Sequence, residues 1–352
     1  MTGPHRLRAP PEDDLRYVLA QLPEHLWYGL KGRRLFLTGC TGFVGKWLLA
    51  TLVNANHRFG LSTRATVLSR DPDAFRATAP FLADAEGIEW LRGDVRDFSL
   101  PEGEFDTIIH GATDVVAKAP PEDIFETCIA GTRRVLELAA QAETRDFLLV
   151  SSGAVYGRQP SDLAGVPESH LGAPDPLLPS SAYGEGKRAS EWMCAAAGAR
   201  TGLRVRSARC FAFVGPYLPL DKQFVIGNFL SAALNGREIV IKGDGTPVRS
   251  YLHAADMAAW LYAVLLKGRP GAAYNVGADT AISIGALAYR VSQVLDVPAR
   301  VRIVGRPDPS RPVERYVPDN RLARAELGLS QPISLDDAIT RTAHWHRAGE
   351  SR

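Results

Sequence analysis

Residues 35–49 read LFLTGCTGFVGKWLL. A short apolar run, a glycine-rich turn and an amphipathic stretch follow one another without a gap. Such a succession predicts a strand, a tight turn and a helix, the opening unit of an α/β fold. Gly39, Gly42 and Gly45 sit at the turn. Glycine there allows the tight turn, a close backbone approach to a pyrophosphate, and close packing of helix on strand. The helix N-terminus then faces the phosphates with its free N–H groups and its dipole. The stretch therefore predicts a dinucleotide site.

The rest of the chain repeats the alternation. Short apolar strands are expected at 34–39, 64–70, 88–95, 106–112, 146–157 and 203–215. Helical patterns lie between them, among them IFETCIAGTRRVLELAAQA (124–142) and SAYGEGKRASEWMCAAAGAR (181–200). Strands that are apolar throughout and separated by helices imply a parallel sheet covered on both faces. The expected fold is α/β: a Rossmann-type doubly wound parallel sheet with a smaller C-terminal substrate-binding region. Residues 1–30 read as an extension, loose at first and helical over 13–30, where Leu15, Val18, Leu19 and Leu22 recur at helical spacing. Residues 31–215 would form the dinucleotide-binding domain, with 250–277 returning to it through a helix at 254–266. Residues 271–277 are read as leading on into the last part of the lid. Past 216, Pro and Gly punctuate shorter elements, so 216–249 and 278–352 are assigned to the substrate-binding region.

The charge balance narrows the partners. Lys and Arg number 41 against 39 Asp and Glu, a net charge of +2. That gives no general grip on nucleic acid or on an anionic membrane. The cysteines, Cys40, Cys128, Cys194 and Cys210, are far apart in sequence, with no C-x-x-C pair and no expected metal set. A reduced, cytoplasmic setting is the simplest expectation. No apolar run reaches the length of a membrane span.

Two local patterns bear on chemistry. In YGEGK (183–187), Tyr183 precedes Lys187 by four residues, which places both on one helical face. An ammonium beside a phenol favours phenolate and is expected to lower the Tyr183 pKa, which suits acid–base work on a sugar or alcohol oxygen. At the end of the second strand stands Leu68-Ser69-Arg70-Asp71. An acidic residue there contacts the ribose hydroxyl of NAD, whereas an Arg accommodates the extra phosphate of NADP. Ser69 and Arg70 point to NADP. Asp71 comes one or two positions late, and a loop could still bring it to the ribose. The cofactor is left as NAD or NADP.

Taken together, the segments TGCTGFVG (38–45), GDV (93–95), HGAT (110–113), VSSGAVYG (150–157), YGEGK, VGP (214–216) and GDGTPVRSYLHAADMA (243–258) resemble those of a known family. It is the extended short-chain dehydrogenase/reductases of the NAD-dependent epimerase/dehydratase group, which modify nucleotide sugars. The resemblance implies roles. Gly39, Gly42 and Gly45 would hold the pyrophosphate with Phe43 and Val44 nearby. Asp94 and Val95 would flank the adenine, and Ala112 and Thr113 would lie along the cofactor. Ser152, Tyr183 and Lys187 would be catalytic, with Lys187 also holding the nicotinamide ribose. Ser152, Gly153, Asn228 and Arg249 would meet the nucleotide-diphosphate sugar. A homodimer through helices spanning 119–142 and 182–198 is also implied.

Three departures from the family pattern matter. The dehydratases carry an Asp-Glu pair after the active-site Thr; here Gly153 and Ala154 stand there, and neither moves a proton. The same gap removes the Glu of the decarboxylase branch. Cys128 replaces an Asn on the helix near 128, and Ala212 replaces an Asn that often touches the sugar. The expected activity is a nucleotide-sugar epimerase working through a transient keto-sugar. A nucleotide 4-keto-sugar reductase comes second, and a dehydratase or a non-catalytic dinucleotide-binding protein after that.

Overall fold

A computed structural model describes residues 6–113, 119–297 and 300–350. The chain opens with two short helices, α1 (Glu12–Ala20) and α2 (Glu24–Tyr28). The single helix expected over 13–30 is broken because Pro23, in extended backbone, starts a new helix and cannot continue the old one. The alternating part follows: β1 (Arg34–Thr38), α3 (Phe43–Phe59), β2 (Arg64–Ser69), α4 (Pro72–Thr78), α5 (Pro80–Ala83), β3 (Ile88–Arg92), β4 (Thr107–His110), α6 (Pro121–Gln141), β5 (Asp146–Ser152), α7 (Ala182–Thr201) and β6 (Arg204–Cys210). Beyond it come β7 (Phe213–Val214), α8 (Val225–Leu234), β8 (Ile239–Ile241), β9 (Val248–Arg249), β10 (Leu252–His253), α9 (Ala254–Lys267) and β11 (Ala273–Val276). The chain closes with β12 (Ile282–Ser283), α10 (Ile284–Val294), β13 (Val301–Ile303), β14 (Arg315–Tyr316), α11 (Arg321–Leu327) and α12 (Leu335–Glu350).

Seven strands form one parallel sheet in the order β11-β6-β5-β4-β1-β2-β3. The order reverses between β1 and β4, and ligands of such sheets bind beyond the strand ends at that point. Alternation along β1 shows how the sheet is covered. Leu35 and Leu37 face one layer, with Trp47 and Leu49 of α3 and the buried α9. Phe36 faces the other, with Val135 and Leu138 of α6 and Cys194 of α7. Helix α3 stops at Gly60 and α7 at Gly202, both left-handed, a conformation that glycine adopts without strain.

Two expectations change here. Residues 271–277 do not lead into a lid: β11 is the seventh strand, pairing Tyr274 with Ala208 and Val276 with Cys210. The sixth strand, expected to reach 215, ends at Cys210. Phe211 donates its N–H to Val276, and the chain then turns to pair β7 with β10. Three small sheets, β10-β7, β12-β9-β14 and β13-β8, form the C-terminal part.

The extension is packed, not loose, from residue 7 on. Leu15, Val18, Leu19 and Trp27 join the core, and α1 lies against α3 and α9. The Trp27 ring stands 5.1 Å from that of Tyr262, and its indole N–H donates to Leu19. Residues 1–5 lie outside the described part.

Candidate active site

A cleft of about 960 Å³ opens at the C-terminal ends of β1, β2, β4, β5 and β6. Its size suits a cofactor together with part of a substrate. The glycine turn forms its floor. Gly39 takes φ +80°, and a Cβ there would fall 2.7 Å from the Gly111 carbonyl. A Cβ at Gly45 would fall 2.2 Å from the Gly39 carbonyl oxygen. The turn is therefore open to a ligand only because both residues are glycine. Thr38 braces it from behind, its hydroxyl accepting from the Gly111 and Ala112 N–H groups at 3.1 Å each. The same hydroxyl meets buried His110, which burial pushes down to about 3 and so keeps neutral.

At the far end of the turn, Ser69, Arg70, Asp94, Val95 and Arg96 line the cleft. Arg96 grips Asp94 in a bidentate pair at 2.8 and 3.0 Å and holds its carboxyl below the usual range. Asp71 is turned to other work. It accepts from the Ala74 N–H at the start of α4 and pairs with Arg92. It is not among the lining residues, so the polar residues at the end of β2 that line the cleft are Ser69 and Arg70.

The reactive end is built from β5 and α7. Ser152 is the last residue of β5, and its hydroxyl accepts from the Ala154 N–H at 3.1 Å, starting a 3-10 turn over Gly153–Tyr156. Tyr183 and Lys187 lie on successive turns of α7, and both line the cleft with Ser152. Lys187 is buried and donates to the Val150 carbonyl at 2.9 Å. Burial lowers its pKa. Tyr183 moves the opposite way from expectation. Burial raises its phenol well above the ordinary value, and a hydrogen bond with Ser152 offsets only part of that. The physical reason is that both partners are desolvated together, which disfavours phenolate and ammonium alike.

Cleft walls account for the remaining positions. Phe43, Val44, Ala112, Thr113 and Arg249 all line it. Gly153 does not; it lies beneath the Phe211 ring, where a Cβ would come within 2.7 Å of ring carbon. Ala154 lines the cleft, so the two positions where the family's dehydratases hold carboxylates offer no acid. Asn228 sits exposed on α8 and is not a lining residue, although Phe224, Val225 and Ile226 just before it are. Arg249 is held in an ion pair with Glu314.

Tyr316 has no counterpart in the sequence reading. It lines the cleft from β14, with its hydroxyl 3.4 Å from Ser152 Oγ. The stretch GRPDPSRPVERYVPDN around it carries no spacing that marks a site. Phe211 and Tyr251 are further lining residues to which the sequence reading assigned no role.

A family model described as the NAD dependent epimerase/dehydratase family matches residues 35–277. The chain belongs to that family. The family is NAD dependent by its description, and the glycine cradle and the lining of the cleft fit a dinucleotide. A dTDP-glucose 4,6-dehydratase of Streptomyces niveus is 28% identical over 89% of this chain and 93% of its own length. The UDP-glucuronic acid decarboxylase 1 of Xenopus tropicalis is 28% identical over 90% of this chain and 72% of its own. Among solved structures, a dTDP-glucose 4,6-dehydratase of Streptomyces venezuelae with NAD bound superposes with a TM-score of 0.75 at 28% identity, covering 90% of this chain and 97% of that one.

Proposed function

We propose that this family member is a nucleotide-sugar epimerase that works through a transient keto-sugar. The observation that carries the reading is the company Ser152 keeps. Tyr183 and Lys187 share the cleft with it, while Gly153 and Ala154 stand where the dehydratases and decarboxylases place carboxylates. Loss of water from a sugar needs an acid and a base beside the carbons that react. A phenol, a hydroxyl and an ammonium suffice for moving one proton at one oxygen. The names of the matched relatives support a nucleotide-diphosphate sugar as the substrate.

In this reading Tyr183 removes the proton of a sugar hydroxyl, and Ser152 hydrogen-bonds the same oxygen. Bound NAD supplies the hydride chemistry. Lys187 holds the cofactor's ribose and draws the Tyr183 phenol toward phenolate once the charged ring is beside it. Gly39, Gly42 and Gly45 hold the pyrophosphate, with Phe43 and Val44 beside it; Asp94 and Val95 flank the adenine. Ala112 and Thr113 run along the cofactor. Arg249 meets the sugar's diphosphate, to which its guanidinium fork is suited. The keto-sugar turns within the cleft, and Tyr183 returns the proton.

A 4-keto-sugar reductase is the second reading. Ser69 and Arg70, facing the cleft where Asp71 does not, favour it through a preference for NADPH. One experiment separates the two: denature the purified protein and identify the released dinucleotide and its redox state by mass spectrometry. Tightly held NAD, followed by inversion in a screen of UDP-, dTDP-, GDP- and CDP-sugars without net NADH, supports the epimerase. An empty protein that oxidises NADPH stoichiometrically with a 4-keto sugar supports the reductase. Failure to hold or bind either dinucleotide would sink both.

A homodimer through α6 and α7 belongs to the same reading. Phe125 on α6 and Trp192 on α7 are 40% and 71% exposed, large side chains to leave in water. A monomer in light scattering at micromolar concentration would contradict it.

A further inference from the structure

Ser152 stands in the middle of a row of three hydroxyls. Tyr183 of α7 lines the same cleft on one side of it. Tyr316, 164 residues further along the chain, approaches from the other side at 3.4 Å. A serine hydroxyl has one proton to give and two lone pairs to fill. The Ala154 N–H occupies one of those lone pairs at 3.1 Å.

The Tyr316 hydroxyl has its own constraint. It lies 3.3 Å from the Cys210 carbonyl, an oxygen that can only accept. If the Tyr316 proton goes there, its oxygen is left to accept from Ser152. The ring has little freedom to turn away. Phe211 lies against it with centroids 4.7 Å apart, and the Arg249 guanidinium lies 6.0 Å from its centre. Tyr316 and Arg249 are also paired residues of β14 and β9.

We propose that Tyr316 is a positioning residue that sets the direction of the Ser152 hydroxyl, drawing its proton away from Tyr183 until a sugar oxygen takes it. The inference rests on the reading of Ser152 and Tyr183 as the pair that handles the proton. With the Ser152 proton drawn to Tyr316, the second lone pair of Ser152 faces the Tyr183 O–H. Tyr183 is then held protonated while no sugar is bound. A sugar oxygen arriving beside Ser152 competes with Tyr316 for the same proton and is itself held in place beside Tyr183. The C-terminal part of the chain thus acts on the reacting oxygen through one hydroxyl.

The test is a tyrosinate absorbance titration of the NAD-loaded protein up to about pH 11. The signal of Tyr183 is the difference between wild type and Tyr183→Phe. The same difference is then taken between Tyr316→Phe and the double variant. The inference expects the Tyr183 midpoint to fall by about half to one pH unit in the Tyr316→Phe background, because Ser152 is freed to donate to phenolate. Titration that appears only in that background counts as the same result. A midpoint that is unchanged, raised, or absent from both backgrounds overturns it. In a Ser152→Ala background the effect of Tyr316→Phe must vanish; persistence means that Tyr316 does not act through Ser152. Should the Phe variant not fold, Tyr316→Met fills the space without a hydroxyl and is read in the same way. With the sugar nucleotide found in the screen, kcat of Tyr316→Phe is expected to fall roughly three- to tenfold with little change in KM. If Ser152→Ala and Tyr183→Phe both retain full turnover, the underlying reading fails. If they lose it and Tyr316→Phe moves neither midpoint nor kcat, only this inference fails.

Discussion

Lys187 carries its ammonium to 5.9 Å from the centre of the Tyr183 ring while donating to the Val150 carbonyl at 2.9 Å. The lysine is thus near the tyrosine but fastened to the strand beside it. Its position is fixed by β5, not by Tyr183.

Replacing either residue separates chemistry from binding. Tyr183→Phe is expected to lower kcat by about 10²–10⁴-fold, the range for losing a positioned acid–base group. NAD content by mass spectrometry should stay near that of the wild type, since the ring is retained. Lys187→Met should lose both turnover and NAD.

Gly45→Ala tests the cradle. The added carbon would sit 2.2 Å from the Gly39 oxygen and 2.4 Å from Cys40 Cα, all backbone. Neither can yield without opening the turn. Overpacking of this kind costs about 1–3 kcal/mol or more, so the Kd for NAD should rise roughly tenfold or beyond. Fluorescence titration with NADH is the measurement.

Gly153→Asp asks whether the missing carboxylate could simply be restored. Its Cβ would meet three carbons of the Phe211 ring between 2.7 and 2.9 Å away. The variant is expected to lose about 1–3 kcal/mol in urea unfolding and to gain no dehydratase activity. Adding Phe211→Ala should relieve the clash without returning the wild-type stability, because the second change leaves a cavity of its own.

Stability should also respond to pH through Asp256. Its carboxyl is buried under the Tyr17 hydroxyl, and burial raises its pKa from 3.8 to about 7. A raised carboxylate pKa means that the folded state holds the proton more tightly. The stabilisation is therefore full below about pH 4 and is lost as the pH rises to about 7. A shift of that size corresponds to on the order of 4 kcal/mol. Urea unfolding at pH 5 and pH 8 should show Asp256→Asn losing less stability between the two than the wild type. Equal losses in both proteins would refute the assignment.

How legible was all this in the sequence? The glycine turn and the Tyr-x-x-x-Lys pair are local, and local spacing carries enough to place them on a strand end and a helix. The six strands before residue 211 were legible for the same reason, since each is a short apolar run between helices. Tyr316 and Phe211 were not, because their place in the cleft depends on pairings between distant segments, β14 with β9 and Phe211 with Val276. Asp71 shows a subtler limit. Its position in the sequence left it free to reach the ribose, but the helix that starts at the next residue captured its carboxylate as a cap. The Tyr183 pKa also went against its neighbour, since spacing reports which charges are close but not how much water they have lost.

The packed extension has a consequence for how the cleft can move. Tyr17 meets Asp256 on α9, Asp14 pairs with Arg341 on α12, and the Trp345 indole of α12 donates to the Ala9 carbonyl. The beginning of the chain is thus clasped to its end, and α12 packs in turn on α8 and α10 of the C-terminal part. Any swing of that part large enough to admit a bulky sugar must either carry α1 along or unclasp it. Residues 6–30 set how wide the door opens, although none of them lines it.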